Sequence, residues 1–264
     1  MSRRFASPEW HTAVAALIAA TDAQGIADAL GRVVGAAVEY DASCLLAFHN
    51  DAPPDVLHHT MNERRTQHYL DRYLAGPYLL DPLYQLALRE KKPAMCRCRD
   101  ETPDRFRSSE YYRQYYERTH LADEMDFLLD INDTIALVLV IGNWDKRFSR
   151  SDVASLRLIE PIVRAAMHGV WKAWAALHSG QVRDLSMHQR LTQCFEQFGE
   201  SSLTQREREI TQLLLRGHSS KSVARELDIA PGTVMVHKRN LFSKLGITSQ
   251  YELFSLFIDR LSAL

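Results

Sequence analysis

The chain has 264 residues, long for one compact domain and enough for two cores. Hydrophobic residues make up 46% and charged residues 25%, which excludes a disordered or low-complexity chain. A formal net charge of −1 excludes an evenly basic nucleic-acid binder, and four cysteines (Cys44, Cys96, Cys98, Cys194) are too few for a disulfide framework and point to a reducing compartment.

The chain opens with Trp10, Val14, Leu17 and Ile18 at helical spacing, and a second helical stretch runs over 25–38. Two short strands are predicted at 43–49 and 56–61, separated by the turn sequence Asn50-Asp51-Ala52-Pro53-Pro54. Helices follow at 63–74, 82–89 and 103–119. The stretches 125–131 and 134–142 read as a hairpin turning at Asn132-Asp133. Ser149 or Ser151 is placed to cap the next helix, which carries Pro161 and is expected to kink there before continuing through Trp171 and Trp174. This order predicts an α+β domain over residues 1–178, a small antiparallel sheet covered by helices.

Residues 179–202 are polar, with Val182, Leu185, Leu191, Phe195 and Phe198 on one stripe, a helical connector. Beyond it the charge changes sign: residues 203–264 hold nine Lys/Arg against six Asp/Glu, while 1–202 hold 23 against 27. Thr204 followed by Glu207 spells a capping box, so a helix starts there, with Ile210, Leu213 and Leu214 on its buried face and Gly217 ending it. Ser219 or Ser220 caps a short second helix with Val223, Ala224 and Leu227 inward. Pro231 suits the first turn of a third helix, in which Val234, Leu241 and Leu245 point inward while Met235, Lys238, Arg239 and Ser243 do not. A fourth helix starts at Ser249, with Leu253, Phe254, Phe257 and Leu261 on one face.

This series resembles the helix-turn-helix domain that ends LuxR-type transcription regulators, and the resemblance implies an all-α four-helix domain over 203–264 that binds double-stranded DNA. The third helix would then enter the major groove, with Met235 and Arg239 at base edges beside Val236, and Thr233, Lys238 and Lys244 at phosphates. The sequence departs from the family at Met235, where a lysine or arginine is usual; a thioether donates nothing to guanine, so contact there would be apolar, to a thymine methyl. The fourth helix commonly supports dimer contact in such relatives. The competing structural reading is a helical bundle used for protein contact alone.

For the front half, a phosphoacceptor receiver domain is disfavoured because the chain opens with helices rather than an acidic pair after a first strand. The region instead resembles autoinducer-binding or GAF-like sensor domains, with Tyr69, Tyr73 and Asp81-Pro82 near the family's ligand pattern, though the tryptophan position falls near His68 and the tyrosine is offset. If a small molecule binds, Asp81 would hold its polar group between Tyr69, Tyr73 and Tyr84. The alternative for Asp81 is a helix cap before Pro82. Tyr111, Tyr112, Tyr115 and Tyr116 are expected chiefly in the core. Cys96 and Cys98 beside Arg97 and Arg99 read either as a redox pair with cation-lowered thiols or as alternating strand residues. His49, His58 and His59 lack zinc-type spacing, so neither metal nor cofactor is expected.

The sequence thus predicts a regulator rather than an enzyme, since no paired carboxylates, nucleophile triad or phosphate-cradling loop stands out. Expected partners are an inverted-repeat DNA site, a second copy of the chain, a small-molecule ligand and the transcription machinery. The longest apolar runs, 13–20 and 135–141, are too short to span a bilayer, so the expected place is the cytoplasm, without membrane contact. The alternatives are a ligand-independent regulator, or an antagonist working by protein contact through a retained helix-turn-helix.

Overall fold

The computed structural model describes residues 3–178 and 186–262; Val182 and Leu185 of the expected connector stripe, and the side chain of Leu261, lie outside the described residues. In chain order the elements are α1 (Pro8–Ala19), α2 (Ala23–Ala37), β1 (Ala42–His49), β2 (Asp55–His59), α3 (Glu63–Arg65), α4 (Arg72–Leu74), α5 (Pro82–Ala87), β3 (Met95–Arg97), α6 (Cys98–Glu101) and α7 (Glu110–Gln114). They continue with β4 (Asp123–Asn132), β5 (Ile135–Asn143), α8 (Arg150–His178), α9 (Ser186–Glu196), α10 (Gln205–Leu215), α11 (Ser220–Glu226), α12 (Pro231–Leu245) and α13 (Gln250–Ser262). The described residues fall into two compact units, one drawn from Met1–Leu70, Leu86–Glu101 and Leu121–Arg183, the other from Asp71–Gln85, Thr102–His120 and Asp184–Leu264.

The first unit is built on a sheet of order β2-β1-β5-β4-β3, antiparallel at every pairing. Alternation puts Leu45, Ala47, Met125, Phe127, Leu137, Leu139 and Ile141 on one face, where they meet Leu30 and Val34 of α2 and Leu156, Ile159, Val163, Met167 and Val170 of α8. The spacing of those α8 residues repeats every three or four positions, so one stripe covers the strands. Burying each of the larger side chains among them is worth about 1.5–3 kcal/mol.

Local chemistry explains the element ends. Asp22 Oδ1 accepts from Gly25 N at 2.9 Å to start α2. Ser149, not Ser151, starts α8: its Oγ accepts from Asp152 N at 3.1 Å while Asp152 Oδ2 accepts from Ser149 N at 2.9 Å. The helix is continuous through Pro161. The β4–β5 turn falls one residue later than the sequence suggests, because Asn132 pairs with Ile135 and its Oδ1 accepts from Thr134 N at 2.9 Å, leaving Asp133-Thr134 at the corner.

Three expectations change. Ile18 does not join the buried stripe of α1 and is 80% exposed. The expected helix at 63–74 starts on an Asn62 cap but widens into a π turn over Thr66–Asp71, which carries Tyr69. The helix at 103–119 breaks into 3-10 turns on either side of α7, because Ser109 restarts it by capping the Tyr112 amide at 3.1 Å.

The second unit gathers Phe195, Phe198, Leu203, Ile210, Leu214, Val223, Val234, Leu241, Leu253, Phe254 and Phe257 into one core, with Phe106 and Tyr111 from Thr102–His120 in the same cluster. Phe195 and Phe198 each stand edge-on to Phe257, at 5.5 and 5.6 Å. The aromatic face of α13 therefore closes this core, and Tyr251 and Leu256 are its exposed apolar residues. Among the described residues no helix is long and apolar enough to cross a membrane.

Candidate nucleic-acid interface

The site is assembled from α10 outward. Thr204 and Glu207 form the capping box: Glu207 Oε2 accepts from Thr204 N at 2.8 Å, and Thr204 Oγ1 accepts from Glu207 N at 3.3 Å. The same carboxylate receives Lys244 Nζ at 2.7 Å, so the cap of α10 also anchors the end of α12. Burial raises the Glu207 pKa, but Lys244 and the two Thr204 donors outweigh it and hold the group below the ordinary carboxylate range. Nothing in the sequence around Lys244 marks this pairing, and it reads there as a phosphate cation.

Gly217 ends α10 at φ +91, a conformation that a side chain resists. Ser219 Oγ accepts from Ser222 N at 3.2 Å to start α11, and His218 Nδ1 lies 2.8 Å from Ser222 Oγ in the buried turn. Pro231 occupies the first turn of α12, and Gly246 at φ +67 ends it, with Ile247 N bonding back to Phe242 O at 3.0 Å.

Within α12, Val234 and Leu241 are completely buried and fix the helix to α10 and α11. On the other side Met235 is 65% and Val236 47% exposed, and Thr233, Arg239 and Asn240 are exposed with them. Lys238 is half-buried, its Nζ 5.3 Å from the Phe242 ring centre. Thr233, Met235, Val236, Lys238 and Arg239 thus share one helix. Lys244, at its last turn, has one donor committed to Glu207.

The four expected ligand residues divide between the units. Tyr73, Asp81 and Tyr84 lie in the second, while Tyr69 belongs to the first and packs edge-on to His68 at 5.0 Å. Asp81 is buried; Oδ2 accepts from the Tyr73 hydroxyl at 2.7 Å and Oδ1 from Leu83 N at 2.9 Å, the second bond being the helix cap to α5. Burial pushes the Asp81 carboxyl up to about 6 even though both hydrogen bonds pull the other way. Tyr78, which sequence reasoning missed, is completely buried between Tyr73 and Tyr84, with its hydroxyl 2.6 Å from His188 Nδ1. The tyrosine pairs Tyr111–Tyr115 and Tyr112–Tyr116 each stack, at 5.5 and 5.6 Å, and Tyr111 is buried.

The redox reading of the cysteines fails. Cys96 lies on β3 and Cys98 opens α6, both buried, and burial with Asp126 beside it drives the Cys96 thiol far above the ordinary range, the opposite of an activated thiolate. The histidines bond separate acids, His49 to Asp55 at 2.8 Å and His58 to Asp28 at 3.0 Å.

Comparison with known proteins agrees with this architecture. Residues 201–257 match the model for bacterial regulatory proteins of the luxR family. The Aeromonas salmonicida putative HTH-type transcriptional regulator in the exeN 3'region is 32% identical over 157 residues, covering 58% of this chain and 80% of that protein. The transcriptional regulatory protein UhpA of Escherichia coli (strain K12) is 40% identical over 60 residues, 23% of this chain and 31% of UhpA. Among solved structures, the VqsR LBD domain from Pseudomonas aeruginosa superposes with a TM-score of 0.56 at 25% identity, covering 63% of this chain and 99% of that one. The chain belongs to the luxR family of bacterial regulatory proteins.

Proposed function

We propose that this transcriptional regulator acts as a homodimer that lays α12 in the major groove of each half of an inverted repeat, under the control of a small molecule bound by its N-terminal part. The observation that carries the reading is the contrast along α12: Val234 and Leu241 anchor it while Thr233, Met235, Val236 and Arg239 stand open to solvent. Arg239 is the residue for a bidentate contact to guanine, worth about 1–3 kcal/mol of discrimination. Met235 and Val236 supply apolar contact to thymine methyls, while Thr233, Lys238 and the remaining donors of Lys244 serve phosphates. One such helix reads only a few base pairs, so two half-sites about one helical turn apart supply the rest, which is the physical case for a dimer that then engages the transcription machinery.

The superposition on the VqsR LBD domain supports a small-molecule site in the front part, and Asp81, Tyr73 and Tyr84, which share one compact unit, are its proposed polar and aromatic groups. A second reading, a ligand-independent regulator, is favoured by one observation: both Asp81 oxygens already have partners within the protein. Footprinting on genomic fragments, with half-site spacing varied by five base pairs, tests the dimeric reading. Protection of two half-sites that vanishes when they turn to opposite faces supports it, and protection indifferent to spacing contradicts it.

A further inference from the structure

The segment Thr102–His120 is remote in sequence from the helix-turn-helix, yet it belongs to the same compact unit and is fixed to the turn between α10 and α11. Asp104 Oδ1 accepts from Ser219 N at 3.0 Å, and its other oxygen accepts from the Ser219 hydroxyl. Arg105 N donates to Gly217 O at 3.2 Å. The fit is close, since a Cβ on Gly217 would stand 3.2 Å from both Phe106 Cα and Ser109 Cβ, and Phe106 itself is buried. This is a packed junction with backbone, carboxylate and aromatic components.

Its effect is to bring Arg105 into electrostatic range of Lys238. Burial first, and then the Arg105 guanidinium, hold the Lys238 ammonium below the ordinary lysine range. Arg206, Arg208 and Lys244 of this unit are matched to Glu209, Glu200 and Glu207. Among the described residues Arg105, Arg107 and Lys238 make no ion pair, and Arg105 and Arg107 are exposed. Like charges side by side are unfavourable until an anion comes between them. The junction also leaves Met235 and Val236 on the reading face of α12 open. Arg105 thus stands within electrostatic range of Lys238 while that face stays open.

We infer that Arg105 is part of the DNA-contacting surface and binds a backbone phosphate together with Lys238, with Asp104 as the residue that positions it. The inference rests on the proposed placement of α12 in the groove. Because a phosphate contact carries no base information, its loss weakens operator and random duplex alike. Each phosphate contact contributes about 0.9 to the slope of log affinity against log salt, which corresponds to about eightfold per tenfold change in salt.

The test is a salt titration of binding by the full-length chain to an operator duplex and a random duplex, by fluorescence anisotropy, for wild type, Arg105→Ala, Asp104→Ala and Arg239→Ala. Arg105→Ala is expected to bind both duplexes about eightfold more weakly at 0.1 M salt, with a slope shallower by about 0.9. Asp104→Ala is expected to weaken binding too, although removing an acid near DNA would by charge alone strengthen it. Wild-type affinity and slope for Arg105→Ala, or tighter binding by either variant, overturns the inference. Arg239→Ala separates the two levels: if it loses operator preference while Arg105→Ala changes nothing, only the phosphate assignment fails. If Arg239→Ala is also silent, the placement of α12 fails with it.

Discussion

Replacing Asp81 by asparagine gives a measurable prediction because its environment makes two opposing demands. The side chain caps α5 through Leu83 N and receives the Tyr73 hydroxyl, but it is buried where a negative charge is poorly solvated. Burial wins, and the carboxyl titrates at about 6 against an ordinary 3.8. A folded-state pKa above the unfolded value means that the native protein binds the proton more tightly. The group's stabilising contribution is therefore complete below pH 3.8 and is lost as pH rises through 6. Two decades of proton affinity at about 1.4 kcal/mol each make that loss about 3 kcal/mol by pH 7. Asparagine keeps the cap acceptor and cannot ionise. Urea unfolding of wild type and Asp81→Asn at intervals from pH 4 to pH 7 is expected to show the variant gaining on wild type by about 2.4 kcal/mol across that range, since part of the loss already precedes pH 4. A difference that stays flat with pH would refute the reasoning.

Glu207→Ala removes the carboxylate half of the capping box and the anchor of Lys244 together, leaving the Thr204 hydroxyl on the backbone amide, and is expected to cost about 2 kcal/mol in thermal unfolding, whereas Lys244→Ala leaves the whole cap in place and should cost about 1 kcal/mol or less. Equal losses would show that the ion pair dominates. Gly217→Ala combines a φ of +91 with a crowded approach to Phe106 and Ser109, so a loss of about 1–3 kcal/mol is expected, and wild-type stability would contradict the packing described. Replacing thymine by uracil in an operator probe removes only the methyl groups and should weaken wild type more than Met235→Ala; equal weakening of both would remove Met235 from the thymine contact.

The DNA-binding part was largely legible in the chain because its signals are local. Thr204 with Glu207, Gly217, Ser219 and Pro231 each declare a helix end through backbone chemistry that acts within a few residues. Four of the five strands were likewise readable from the turn sequences that flank them, and the covering α8 from its serine cap, while the short β3 was not. What could not be read was non-local. Lys244 meets Glu207 across 37 residues, Tyr78 meets His188 across 110, and Asp104 meets Ser219 across 115; nothing in the neighbouring sequence marks these partners. The tyrosine-rich stretch misled for a related reason, because its helical spacing is real but the Ser109 cap and the stacking of Tyr111 on Tyr115 and Tyr112 on Tyr116 are met in short turns. Asp81 was readable as a cap, while its burial was not.

The central claim is that the exposed side of α12 reads base pairs, and Arg239 tests it most directly. Binding of wild type and Arg239→Ala to a library of single-base variants of the operator should show the variant losing about 1–3 kcal/mol of discrimination at one guanine of each half-site and little elsewhere. If Arg239→Ala distinguishes every base as wild type does, α12 is not the reading helix.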